Sequence, residues 1–271
     1  MSTADNRKTG RWIAPRDFEE DEAMEDPTHE RSLAELHPAE RLRYFYGQLL
    51  SADDFEKEQD YWRGKRQLHN RFELGLGVVC GLGVTPLTTR LGKGVRVSAG
   101  LALDGWGREI VVPTDFEMVP LRLSDDCDLL PPDDELLPPS VHITLCYQEF
   151  AGGRQPVIAA ELEPAPERSS TGSLIESYCL RVQEGAAPDV STGEGAEVLE
   201  LVRSGRLHDA LCLLTAAACR PASEDPCVFL ANIAVGQDGS LTIDSCGPRV
   251  IVPTNRLLLQ LAHSISSLGE T

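Results

Sequence analysis

The hydrophobic period of this chain changes abruptly at Gly75-Leu76-Gly77, and that change constrains the fold more than any other feature. Upstream, Ser51 followed by Asp54 makes a capping-box-like helix start, with Asp in place of the usual Glu. Asp53, Asp54 and Glu56 then fall in the first turn, where the helix dipole favours negative charge. The spacing predicts a helix from Ser51 to about Leu74, with Phe55 and Trp62 on one face and Tyr61, Leu68 and Phe72 on another. Two apolar faces call for two sets of partners. Gly64 in the interior costs helix stability relative to Ala and points to a close contact there.

From Val78 the pattern has the period of strands. Val95, Val97, Ala99, Leu101 and Leu103 alternate, which predicts one buried strand face. Gly92-Lys93-Gly94 and Asp104-Gly105-Trp106-Gly107 read as the turns on either side, and Arg108 to Val112 as the next strand, closed by Pro113. Val141 to Gln148 alternates again, and a loop rich in Gly, Pro, Glu and Ser follows to about Gly172. Residues 194–219 read as a helix in two pieces divided by Ser204-Gly205. Val228 to Val235 is a near-continuous apolar strand, buried on both faces, and Gln237-Asp238-Gly239 turns it into Leu241 to Asp244. A last helix runs from Thr254 to about Leu268, apolar at Leu257, Leu258, Leu261 and Ile265.

One stretch echoes another. LALDGWGREIVVPTD from Leu101 aligns without a gap on LTIDSCGPRVIVPTN from Leu241. Two strand-turn-strand units lying side by side in one sheet or sandwich would explain it; so would a coincidence of turn and strand chemistry.

These elements define an α+β protein: a long N-terminal helix followed by a mainly antiparallel β body, sandwich or barrel-like, with short C-terminal helices. The expected organisation is an acidic arm over 1–35, a helix plus first β unit over 36–123, a Pro/Asp-rich linker over 124–139 and a second β unit with helices over 140–271. In the arm, Asp17, Glu19, Glu20, Asp21, Glu22, Glu25 and Asp26 repel one another around little apolar material, so a solvated, disordered tail is predicted. Trp12, Ile13 and Phe18 would anchor the same segment if it orders on a basic neighbour.

Charge narrows the partners. With 25 Lys and Arg against 43 Asp and Glu, the formal net charge is -18. Nucleic acid needs a basic face to displace its counterions, and anionic lipid head groups need the same, so neither is expected. The polar start MSTADNRKTG leads to no apolar run, and no stretch approaches a membrane span, so a cytoplasmic protein without membrane insertion is expected. Its eight cysteines are then expected reduced, with Cys80, Cys146 and Cys179 behaving as small apolar residues in strands.

Chemistry-bearing motifs are few. Gly75 to Gly83 is glycine-rich, but the helix precedes it and the strand follows, the reverse of a dinucleotide fingerprint. His29-Glu30 begins like a zinc-protease motif, yet Leu33 stands where the second histidine belongs. No Gly-x-Ser-x-Gly elbow is present. The one metal set worth naming is His208, Cys212, Cys219 and Cys227: His208 and Cys212 share a helix face, but no Cys-x-x-Cys pair supports a zinc site. No cofactor and no catalytic residues are assigned.

The segment Arg43 to Val84 carries a demanding string: Phe45 to Leu50, Asp54-Phe55, Glu58 to Tyr61, Leu68 to Arg71 and Gly77 to Leu82. It resembles a signature of proteins that accompany the baseplate and tail genes of contractile injection systems, the phage-tail-like particles of bacteria. Gly100 to Asp104 and Arg108 to Pro113 resemble the same group, and Val228 to Val235 and Arg249 to Asn255 do so more loosely. The resemblance implies the context of a bacterial particle; the role expected there is a structural subunit at the baseplate, tail tip or cap side, with other particle subunits as partners. The closed symmetry usual in such assemblies makes a trimer or hexamer the expected homo-oligomer. Tyr44, Phe45, Tyr46, Trp62, His69 and Asn70 are the expected partner-binding residues. The same string also has a structural reading: Tyr44 to Tyr46 packing a helix onto the first strand, Gln48, His69 and Asn70 bonding buried backbone, Gly77 and Gly81 letting backbones approach. The alternative is a carried effector or small-molecule enzyme, for which Gln48, His69, Asn70 and Asp104 are the first place to look.

Overall fold

A computed structural model describes residues 34–124, 137–156, 169–188, 195–216, 219 and 221–268 of the chain. Helix α1, Ala52–His69, starts where its cap demands: Ser51 Oγ accepts from the Asp54 N–H at 3.3 Å and Asp54 Oδ2 accepts from the Ser51 N–H at 2.9 Å. Such a cap contributes about 1 kcal/mol. Asn70–Leu74 continue as one π-helical turn, closed by the Gly75 N–H donating to Asn70 O, and Gly75 leaves it at φ 82°.

The strands are β1 Gly77–Gly81, β2 Val84–Thr89, β3 Gly92–Val97, β4 Gly100–Leu103, β5 Glu109–Val112, β6 Phe116–Met118, β7 Ser140–Pro156, β8 Ser169–Glu184, β9 Val228–Val235 and β10 Leu241–Asp244. Between β8 and β9 lie α2, Gly195–Arg203, and α3, Leu207–Ala216; α4, Asn255–Leu268, follows β10. The strands form three sheets, ordered β1-β4-β5, β2-β3-β6 and β10-β9-β7-β8, antiparallel at every named pair. Val78 adds one parallel bridge to Ile251. Leu82, Val95, Val97 and Ile110 meet Val141, Ile143, Leu145, Leu230 and Ile233 in a single core. Each such fully buried side chain is worth roughly 1.5–3 kcal/mol over leaving it in water. The expected first and second β units therefore share one interior.

The expected architecture is corrected on two counts. The long helix spans 52–74 rather than standing at the N-terminal end of the fold, and the sheets are open rather than closed into one barrel. The single strand expected from Val95 to Leu103 is two strands in different sheets. Its alternation breaks at Ser98-Ala99, where the Ser98 N–H donates to Gly83 O and the Ala99 N–H to Asp115 Oδ1, so the chain crosses from one sheet to the next. Beyond the crossing the fully buried residue is Ala102 in place of Leu101.

The echo recurs in its turns and not in its pairing. Asp104 Oδ1 accepts from the N–H groups of Trp106 and Arg108, and Asp244 Oδ1 from those of Cys246 and Gly247. After the first turn β5 folds back on β4. After the second the chain leaves β10 and runs beside β1, Val78 donating to Val250 O and Val252 donating to Val78 O. The loop expected up to Gly172 is a ribbon instead, β7 and β8 pairing from Val141 with Glu184 out to Pro156 with Ser169. Of the acidic arm, Ala34 and Glu35 are described: Ala34 is buried with Trp106 and Ala222, and Glu35 accepts from the Ala222 N–H. The rest of the arm, and the linker over 125–136, lie outside the described residues.

Candidate interaction surface

The turn between β4 and β5 joins the helix to the body. Asp104 is fully buried and receives the Arg108 guanidinium through Nε at 2.7 Å, while that guanidinium lies between the Trp106 and Tyr147 rings, 4.4 Å from each centroid. Burial pushes the Asp104 carboxyl above its usual range, with the Arg108 charge and two backbone N–H groups opposing. Burial also raises the Tyr147 phenol, helped by Glu149 and Glu176. Trp106 Nε1 donates to Ser223 O and the Gly105 N–H to Pro226 O, so the loop ahead of β9 closes over the turn. Gly107, at φ 83°, passes so close to the end of α1 that a Cβ there would stand 2.3 Å from Gln67 O.

Helix α1 is fastened at that end. Asn70 Nδ2 donates to Gly107 O at 2.8 Å and to Glu109 Oε1, and Arg66 pairs with Glu109. Among the described residues no strand packs along the rest of α1. Residues 35–42 lie along one side of it, leaving a cleft of about 200 Å³ that Tyr61, Gly64, Lys65 and Leu68 line. Gly64, where a close contact was expected, lines this cleft instead.

The opposite side faces solvent. Trp62 is 64% exposed, Phe55 is exposed with it, and on the approach to the helix Phe45 is 67% and Tyr46 fully exposed. Leu49, next in the same approach, is exposed as well. Tyr44, half exposed, donates its hydroxyl to Glu58, which lays this aromatic segment against the middle of α1. The packing of Tyr44, Phe45 and Tyr46 onto the first strand is therefore corrected. Of the six expected partner-binding residues, five are exposed: Tyr44, Phe45, Tyr46, Trp62 and His69, the last paired with Glu73. Asn70 is the correction, only 5% exposed and spent on holding the helix end. Further apolar surface lies on α2 and α3 at Leu199, Val202, Leu207, Leu211 and Leu214, and on α4 at Leu257, Leu258, Leu259 and Leu261. Among the described residues no helix is long and apolar enough to cross a membrane.

The enzyme-like group does not come together. Gln48 accepts from the Phe45 N–H, His69 pairs with Glu73 and Asp104 is sealed by Arg108. Of that set only Asn70 lines the cleft of about 80 Å³ beside the helix end.

The zinc quartet is also corrected. His208 Nε2 and Cys212 Sγ do lie 3.6 Å apart, but Cys227 is bonded to Cys146 in a disulfide. Among the described residues no cluster of His, Cys, Asp and Glu is placed to hold a metal ion. The strand register explains the disulfide. Leu145 pairs with Val228, so the next residues outward, Cys146 and Cys227, face each other with Cα atoms 4.5 Å apart. Cys179, opposite Cys146 on β8, is disulfide-bonded too, so the reduced, apolar role expected for Cys146 and Cys179 is overturned. Cys80, Cys212, Cys219 and Cys246 are free thiols.

No protein-family model matches the chain, and no curated protein is similar to it.

Proposed function

We propose that the chain is a non-enzymatic structural or assembly subunit of a contractile injection particle, an accessory of the baseplate, tail tip or cap side. The observation that carries this reading is the exposure of Phe55 and Trp62 on one face of a helix tethered to its body at one end, with Phe45 and Tyr46 exposed on the approach to it. Contiguous exposed apolar side chains with polar neighbours mark protein contact surfaces, and aromatic residues are enriched at interface centres. The same residues fall inside the string at 43–84 that resembles the injection-system group, which ties the contact surface to a particle. The acidic balance favours neighbours with a basic or neutral face.

Affinity capture of the full chain from its native cell, followed by mass spectrometry and electron microscopy, tests the reading. Sheath, tube or baseplate proteins should accompany the wild-type chain and be depleted with Trp62→Ala. A chain recovered without particle proteins would remove the particle context.

A further inference from the structure

The solvent face of α1 carries Phe55, Gln59, Trp62, Arg66 and His69, all exposed. Their alternating spacing of four and three residues is that of a coiled-coil seam. Charge along the helix is polarised. Asp53, Asp54, Glu56, Glu58 and Asp60 occupy the first half, with Lys57 the single exception, and Arg63, Lys65 and Arg66 the second.

We infer that α1 binds α1 of a second copy of this chain, antiparallel, about a two-fold axis beside Asp60 and Tyr61. A parallel partner would set acid on acid and base on base. The antiparallel one sets each acidic half on a basic half, and a self-complementary pattern is what a two-fold contact requires. With the axis there, Glu56 and the second copy's Arg63 flank one side of the seam, Glu58 and its Lys65 the other, Gln59 faces its Trp62, and Phe55 lies under its Arg66, a cation–π arrangement. Every contact occurs twice. The residues toward the helix end, Gln67 and Asn70, are buried against the chain's own body, and Arg66, though paired with Glu109, keeps its side chain exposed.

The inference rests on reading the aromatic surface as a protein contact, and it needs no other particle component. It therefore stands or falls on the isolated chain, whereas the capture experiment tests the particle. Sedimentation of the purified full-length chain should show a reversible dimer at micromolar to tens of micromolar concentrations. Arg63→Glu should weaken it about tenfold, because two symmetry-related pairs become repulsive. Glu56→Lys should act alike, and the two together should restore the dimer to within about threefold of the original, the pairs being re-formed with signs exchanged. Circular dichroism of each variant checks that α1 is retained. A wild-type chain that is monomeric at about 100 μM would overturn the inference. So would a dimer unmoved by either single change, or one that the double change fails to restore.

Discussion

At Gly81 and Gly100, opposite each other on β1 and β4, two backbones pass closer than any side chain allows. A Cβ on Gly81 would stand 2.0 Å from Ala99 O, and one on Gly100 2.3 Å from Cys80 O. Gly81 also holds φ 65° and Leu82 follows at φ 56°, so the corner is left-handed over two residues. Arg249 binds this corner to β9, its guanidinium donating to Leu82 O and Leu230 O, and burial lowers its pKa from the usual arginine range. The glycine-rich stretch thus serves a corner rather than a phosphate. Gly81→Ala should lose about 2–4 kcal/mol of stability, combining a positive φ with a backbone clash. Chemical denaturation would read that loss, and a midpoint within about 0.5 kcal/mol of wild type would contradict the close approach. The role of Gly81 was legible in the sequence, because only glycine tolerates such contact. The role of Arg249 was not, since its acceptors are backbone carbonyls more than a hundred residues away as well as nearby ones.

Elements with strong local signals were the legible ones. The Ser51–Asp54 cap, the division of α2 from α3 at Ser204-Gly205 and the apolar run of β9 all carry their cause in adjacent residues. The β7–β8 ribbon did not. Gly152-Gly153 and Pro156 weaken the strand pattern locally, and its pairing comes from a partner strand that the sequence does not mark. The break between β3 and β4 was hidden because apolar alternation runs on across a change of sheet. The Cys146–Cys227 link was hidden for a related reason: only the β7–β9 register sets those two residues face to face. Joining residues 81 apart, the link restricts the unfolded chain, and Cys227→Ser should cost about 2–5 kcal/mol. Reductant should lower the denaturation midpoint of the wild-type chain by more than that of Cys227→Ser, in which only the Cys179 disulfide is left to break among the described ones. Equal response in both would mean that β9 is held by hydrogen bonding and packing alone.

At the scale of the molecule, one core joins all three sheets, while apolar side chains on α1, α2, α3 and α4 stay outside it. A chain that fills its interior and still exposes Trp62, Phe45, Leu211 and Leu261 carries apolar surface of the kind found at protein contacts. The position of the aromatic surface could be read in part from the sequence, since Phe55 and Trp62 fall on one helical face. That no strand among the described residues covers it depends on the helix being fastened near its C-terminal end, through Arg66, Asn70 and Arg71, a tertiary outcome. Hydroxyl-radical footprinting of the chain, isolated at low concentration and within the captured assembly, measures this most directly. The account predicts that labelling of Trp62, Phe45 and Tyr46 falls several-fold on assembly while that of surface residues elsewhere is unchanged. Equal labelling of those three in both states would contradict the claim that this face is where the protein meets its neighbours.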